Sequence, residues 1–342
     1  MHAAVVPAVR ARWELKDVPV GDPGPNEVLI KIRASGLCYT DVHQTNGDLP
    51  GPFPRILGHE PVGDIVAVGT AVTTRRVGDR VGVPWVQATC GRCEWCLRGR
   101  TMFCANVVGT GGGAPGGHAE YMPARADATM LLPDGLAYEQ AAPIFCAGYT
   151  VWSGFRWADP QPHERVAVVG IGGLGHLAVQ YAKAAGFETI AVSHSPDKDE
   201  LVRELGADAV VHVDERDPVE AVRDLTDGAL ADAVIVGPGS IEAMELGVRL
   251  AGRGASVVLF TASRPDDRLA VAPYDLYFRE IRIVPSYSCG PNDTRDALAL
   301  IRRGVVTADK VITHRFPLAD LAAAYRTAAD GGVALKTIVT FP

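Results

Sequence analysis

A chain of 342 residues, 47% hydrophobic and 21% charged, has enough material for two hydrophobic cores, so two domains are the default expectation. Its net charge of −7 carries no basic block, which argues against a nucleic-acid partner. The opening residues meet Arg10, Arg12 and Glu14 before any apolar run develops, and the uncharged apolar stretch Val166 to Ala182 is broken by four glycines and falls short of a membrane span. A cytoplasmic protein without membrane attachment is expected.

The first 145 residues or so read as mostly β. Asn26 to Ala34 and Pro61 to Gly69 carry Val and Ile at short spacing between Gly, Pro and Asp turns. Gly109 to Gly117 is a glycine-rich loop with no following Lys-Ser/Thr, so it is not read as a phosphate cradle. From Arg165 the pattern changes to buried apolar runs alternating with helical stretches: Val166 to Val169, Thr189 to Ser193, Ala209 to His212, Ala233 to Val236, Ser256 to Thr261 and Ile281 to Pro285. Six such strands separated by helices predict a doubly wound parallel sheet. The first intervening helix ends before Gly186; the second starts at Ser195-Pro196 and stops before Gly206. Beyond Ser286 come a helix over Asp293 to Arg303, a segment Val311 to Phe316, another helix and a final strand.

Seven cysteines are present, and Cys90, Cys93, Cys96 and Cys104 fall within fifteen residues. Four thiolates held that close repel one another unless a cation binds them. Tetrahedral zinc accepts such an S4 set and keeps no open position, so the expected site is structural; an iron-sulfur cluster is the next reading.

Gly170-Ile171-Gly172-Gly173-Leu174-Gly175 follows a strand and opens a helix, the context in which a glycine pattern lets the backbone approach a pyrophosphate at a helix N-terminus. At the end of the next strand, an acidic residue would bind a ribose 2′-hydroxyl and repel a 2′-phosphate. The chain has Ser193, His194 and Ser195 there, with Lys198 nearby, so NADP(H) is preferred over NAD(H). Ser195 also suits a plain helix cap, and Lys198 a solvated charge.

Three further motifs precede or follow the cysteine-rich loop: Gly36-Leu37-Cys38-Tyr39-Thr40-Asp41-Val42-His43, Leu57-Gly58-His59-Glu60 and Pro143-Ile144-Phe145-Cys146-Ala147-Gly148-Tyr149-Thr150. In this order the sequence closely resembles the zinc-dependent medium-chain alcohol dehydrogenase family, and the likeness continues to Val311-Ile312-Thr313-His314-Arg315-Phe316-Pro317 and Lys336 to Phe341. The resemblance implies an α/β fold: a GroES-like β-barrel catalytic domain from residues 1–147 and 287–342, with a Rossmann domain inserted over 148–286 and substrate in the cleft between them. It implies two zinc ions per chain. Cys38, His59 and Cys146 would hold the catalytic one, and Cys90, Cys93, Cys96 and Cys104 the structural one. The Cys2His set is the one known for alcohol dehydrogenases and is carried over, not deduced.

The same resemblance implies further roles. Thr40 would sit beside the alcohol oxygen and pass its proton through the cofactor ribose to His43. Asp41 would accept from His59, and Glu60 would be a carboxylate near the metal. Trp85 would line the substrate pocket, Thr150 would press on the nicotinamide, and Lys336 would meet the pyrophosphate. Tyr39 stands where some relatives have a basic residue, and Cys289 matches no ligand position. The leading expectation is reversible hydride transfer between an alcohol and NAD(P), giving an aldehyde or ketone, in a homo-dimer or homo-tetramer. A polyol or amino-alcohol dehydrogenase is the alternative suggested by Phe278 to Tyr287, and a non-catalytic cofactor-binding module the alternative from another class.

Overall fold

The computed structural model describes residues 1–342 apart from 49–50, 162, 195 and 331–333. The chain forms two compact units. One contains Met1–Cys146, Gly290–Arg302 and Ala308–Pro342; the other contains Ala147–Cys289 and Arg303–Thr307.

The first unit is built on strand Glu27–Gly36, whose period-two pattern turns Val28, Ile30, Ile32 and Ala34 inward. Each buried Val or Ile contributes about 1.5–3 kcal/mol relative to exposure, and Ile65, Val81, Val83, Met122, Ala124 and Ala126 pack into the same cluster. The strand pairs antiparallel with Glu60–Val68 along one edge and with Tyr121–Arg125 and Lys336–Thr340 elsewhere along its length. The last pairing matters for the site, because it brings residues near 336 beside residues near 36.

In the second unit six parallel strands have the order Ala209–His212, Glu188–Ser193, Arg165–Val169, Ala231–Val236, Ala251–Leu259, Arg282–Pro285. This is the 3-2-1-4-5-6 order of a dinucleotide-binding doubly wound sheet. Its strands lack polar alternation because helices such as Gly173–Ala184 and Ile241–Leu250 pack on them: Val166, Ala167 and Val168 are all fully buried.

Two details differ from the sequence expectation. The segment after Ser195, a residue outside those described, begins as a 3-10 turn over Pro196–Lys198 and becomes α-helical only over Asp199–Glu204, with Lys198 at the N-cap. The chain also re-enters the second unit at Arg303–Thr307, where the Gln180 amide donates to the Thr307 carbonyl (3.0 Å) and accepts from its N–H (2.8 Å). A single amide satisfying both backbone groups of a loop residue replaces the strand pairing that this loop lacks.

Candidate active site

Cys38 is the N-cap of helix Tyr39–Asn46, His59 precedes the strand that starts at Glu60, and Cys146 lies between the 3-10 turn Ala142–Phe145 and the helix from Ala147. Three separate elements of chain therefore converge. The ligand atoms of Cys38, His59, Glu60 and Cys146 all lie within 4.8 Å of one another.

The anchor is Asp41, fully buried. One of its oxygens accepts from the Cys38 N–H (3.0 Å), and the other from His59 Nδ1 (3.1 Å) and more weakly from the Gly58 N–H (3.3 Å). The carboxylate thus ties the helix start to the turn before the strand. By taking Nδ1–H it leaves Nε2 of His59 as the lone-pair nitrogen for the cluster. Gly58 makes the turn possible: its φ is +94°, and a Cβ there would lie 2.7 Å from His118 Nδ1.

The charges are strongly coupled. Cys38 and Cys146 have their sulfurs 3.7 Å apart, unbridged. The S–H of Cys146 stabilises the Cys38 thiolate, and against the cost of burial this holds Cys38 well below an ordinary thiol; the same contact, with burial, pushes Cys146 well above. Burial alone would lower His59, but Asp41 and Cys38 outweigh it and raise it well above an ordinary imidazole. Burial likewise favours protonated Asp41, and the His59 charge and hydrogen bond overcome it, leaving Asp41 below its usual range. Glu60 is raised to about 7 because burial exceeds the pull of Lys336, whose ammonium donates to it at 2.6 Å.

Two sulfurs on one tetrahedral zinc at about 2.3 Å lie about 3.8 Å apart, so the Cys38 and Cys146 sulfurs already have the spacing a zinc would need. One divalent cation would also let Cys146 ionise beside the Cys38 thiolate, which burial and the neighbouring charge otherwise oppose. Thr40 lies next to the cluster, its hydroxyl 3.6 Å from Cys38 Sγ, and His43 follows three residues on along the same helix face. His43 is partly exposed and pairs with Asp48.

The second cysteine cluster lies on a loop. The ligand atoms of Cys90, Cys93, Cys96 and Cys104 are again within 4.8 Å of one another. The Cys93 and Cys96 sulfurs are 3.5 Å apart, and Cys104 Sγ accepts from the backbone N–H groups of Cys90 (3.5 Å) and Asn106 (3.4 Å). N–H donation holds thiolates in place, and the cluster contains no group other than sulfur to leave a position open. Backbone donors, first among them the amide of Arg92, lower Cys90 to about 6.

In the second unit, Gly170 adopts φ +83°, Gly172 faces open space, and a Cβ on Gly175 would lie 2.2 Å from the Gly170 carbonyl oxygen. The helix over Gly173–Ala184, containing Leu174, presents its unpaired N–H groups at this turn, as a pyrophosphate requires. His176 was not singled out by sequence; buried, it donates from Nδ1 to the Gly172 carbonyl at 2.7 Å and fixes the turn. Its signal was the i, i+4 spacing from Gly172. Ser193 ends its strand buried, while His194 is exposed and paired with Asp214 at 3.1 Å, a carboxylate the sequence reading also missed.

Trp85 is half-buried with its ring against Gly109, Thr150 lies in the helix Ala147–Ala158, and Cys289 is buried without a disulfide. Lys336 is buried, and its ammonium donates to Glu60 and to the Leu37 carbonyl (2.9 Å), so two of its three hydrogens are used inside the first unit.

Comparison with known proteins places this arrangement. Residues 24–134 match the model of the alcohol dehydrogenase GroES-like domain, and residues 173–303 that of the zinc-binding dehydrogenase domain. An alcohol dehydrogenase of Geobacillus stearothermophilus is 38% identical over 323 residues, 94% of each chain. The chain belongs to the zinc-dependent medium-chain alcohol dehydrogenase family. It is therefore an oxidoreductase with a GroES-like barrel and a Rossmann sheet. An alcohol dehydrogenase of Rhizobium meliloti (strain 1021) is 40% identical over 312 residues, 90% of each chain. Among solved structures, a protein of Sinorhizobium meliloti 1021, provisionally assigned as a zinc-binding dehydrogenase and bound to NADP, superposes with a TM-score of 0.93 at 29% identity over 99% of both chains. The alcohol dehydrogenase of Aeropyrum pernix does so with a TM-score of 0.88 at 27% identity over 100% of both. Among the described residues no helix is long and apolar enough to cross a membrane.

Proposed function

We propose that this alcohol dehydrogenase carries two zinc ions per chain, a catalytic one on Cys38, His59 and Cys146 and a structural one on the Cys90 to Cys104 loop, and that it prefers NADP(H). The unit containing residues 1–146 is read as the catalytic domain, and the unit containing residues 147–289 as the dinucleotide domain. The observation that carries the reading is the convergence of two sulfurs and one imidazole nitrogen within 4.8 Å of one another, beside the Thr40 hydroxyl.

A zinc ion held there would supply a Lewis acid that makes an alcohol hydroxyl acidic near neutral pH, and the nicotinamide would supply the hydride acceptor. The chain's own groups do the rest. Asp41 keeps Nε2 of His59 available as a ligand. Thr40 accepts the hydroxyl proton of the substrate and hands its own toward His43, which releases it to water. Glu60, neutralised in part by Lys336, places a carboxylate near the metal ligands for their exchange. Trp85 is assigned to the substrate pocket, and Thr150 to the nicotinamide.

The cofactor preference rests on Ser193 and His194 in place of an acid at the strand end, with Lys198 following, and agrees with the NADP held by the Sinorhizobium protein. Asp214 beside His194 works against it. Substrates are small alcohols, aldehydes or ketones, and the protein is assigned to the cytoplasm as a homo-oligomer.

The test is metal analysis of the purified enzyme joined to turnover of an alcohol panel with both cofactors. Two zincs per chain and a higher kcat/KM with NADP are expected. A single zinc that survives Cys38→Ser without loss of turnover would remove the catalytic site. An NADPH-to-NADH affinity ratio unchanged in Ser193→Asp would remove the basis for the cofactor assignment.

A further inference from the structure

His43 is held on two sides. Its Nδ1 donates to Asp48 Oδ2 at 2.9 Å, and the Tyr39 ring meets the imidazole edge-on, with centroids 4.9 Å apart and planes at 81°. The backbone builds this clamp. Gly47 caps the helix Tyr39–Asn46 in the left-handed region at φ +84°, and the Asp48 N–H then donates to the carbonyl of His43 itself at 2.9 Å. Residue 48 therefore holds both the main chain and the ring of residue 43. Tyr39 reaches the same ring from one helical turn earlier.

The geometry points to Asp48, assisted by Tyr39, as the residue that positions His43 for proton transfer, a reading that rests on the relay assigned to Thr40 and His43. A carboxylate on Nδ1 fixes the neutral ring as the Nδ1–H tautomer and leaves the Nε2 lone pair as the acceptor. The proton from the Thr40 side arrives at Nε2, Asp48 keeps the ring in that orientation, and the partly exposed ring returns the proton to water. One O–H bond breaks and one N–H bond forms, then the N–H bond breaks to give hydronium; Asp48 remains a carboxylate throughout. Both partners are on the surface, where an ion pair adds little to stability, so neutralising Asp48 leaves the protein folded.

A double-mutant cycle on the zinc- and cofactor-loaded enzyme tests this. His43→Gln is expected to lower kcat with alcohol about a hundredfold, the scale of a lost acid–base group. Asp48→Asn is expected to lower it roughly tenfold through misplacement, with cofactor affinity unchanged, and to cost nothing further in the His43→Gln background. Nitrogen-15 NMR of the histidine ring should show the Nδ1–H tautomer in the parent and a tautomer mixture in Asp48→Asn. A His43→Gln enzyme as active as the parent ends the relay itself. A sensitive His43 with an indifferent Asp48, or an Asp48→Asn loss that persists without His43, overturns the positioning role alone.

Discussion

Cys38, His59 and Cys146 are drawn together from three elements across more than a hundred residues, whereas Cys90, Cys93, Cys96 and Cys104 come from one loop of fifteen. The first cluster is braced by contacts of the chain itself: Asp41 joins Cys38 to His59, and the Glu60–Lys336 pair is buried beside them. The second lies on short elements, a four-residue helix and a 3-10 turn, held by the Trp95–Phe103 contact, the exposed Glu94–Arg98 pair and Arg100 over the two rings. In the first the fold positions the ligands; in the second the ligands have to position the fold. A chelator or a lost ligand should therefore do opposite things at the two places.

The largest contrast is expected between two serine substitutions. Cys38→Ser should abolish turnover, by about a thousandfold or more, and remove one zinc while the melting curve changes little. Cys104→Ser should also remove one zinc but should expose the loop to limited proteolysis, with activity lost only as the lobe unfolds. Equal proteolysis patterns in the two variants would erase the distinction.

Asp41→Asn comes next. It keeps the shape but weakens the hold on His59, so zinc affinity at the buried site should fall about 10- to 100-fold, read by competition with a chromogenic chelator. The loop zinc should be unaffected, which makes the loop an internal control.

A last contrast, spread over a wide pH window rather than seen at neutral pH, concerns acid stability. His118 is fully buried against the Gly58 turn, edge-on to the contacting rings of Trp13 and Tyr325, and burial lowers its pKa from 6.5 to about 4. Between those values the unfolded chain binds a proton that the folded chain refuses. Stability from the neutral ring is therefore full above pH 6.5 and is lost as the pH falls to about 4, on the order of 3 kcal/mol across the window. His118→Phe keeps a ring in the cradle and should flatten that part of the stability–pH curve in urea titrations. A curve as steep as the parent's would place the acid sensitivity elsewhere.

Legibility in the sequence followed the range of the interactions. The six strands of the Rossmann sheet could be read because strands covered on both faces are continuous apolar runs, as in Val166 to Val169, and the glycine turn and the cysteine loop are local. The barrel read only as mostly β, since its order is set by pairings such as Gly36 with Ile338, some three hundred residues apart. The Lys336–Glu60 pair and the return of Arg303–Thr307 to the second unit share that origin, and the His194–Asp214 contact, twenty residues apart, depends on the neighbouring of two strand ends. The start of the helix after Ser195 escaped for a local reason: Pro196 permits a tight turn before the α-helix proper. Cys38, His59 and Cys146, taken singly, carried no signal a buried thiol or a core histidine would not also give, and family order supplied what spacing could not.

The salt bridge between Lys336 and Glu60 also imposes a timetable. A ribosome has finished every cysteine and histidine of the buried cluster by residue 146, but the ammonium that compensates the Glu60 charge is made 190 residues later, on the strand that closes the sheet. A nascent chain therefore carries the three side chains proposed to bind zinc well before the strand that buries the Glu60 partner exists.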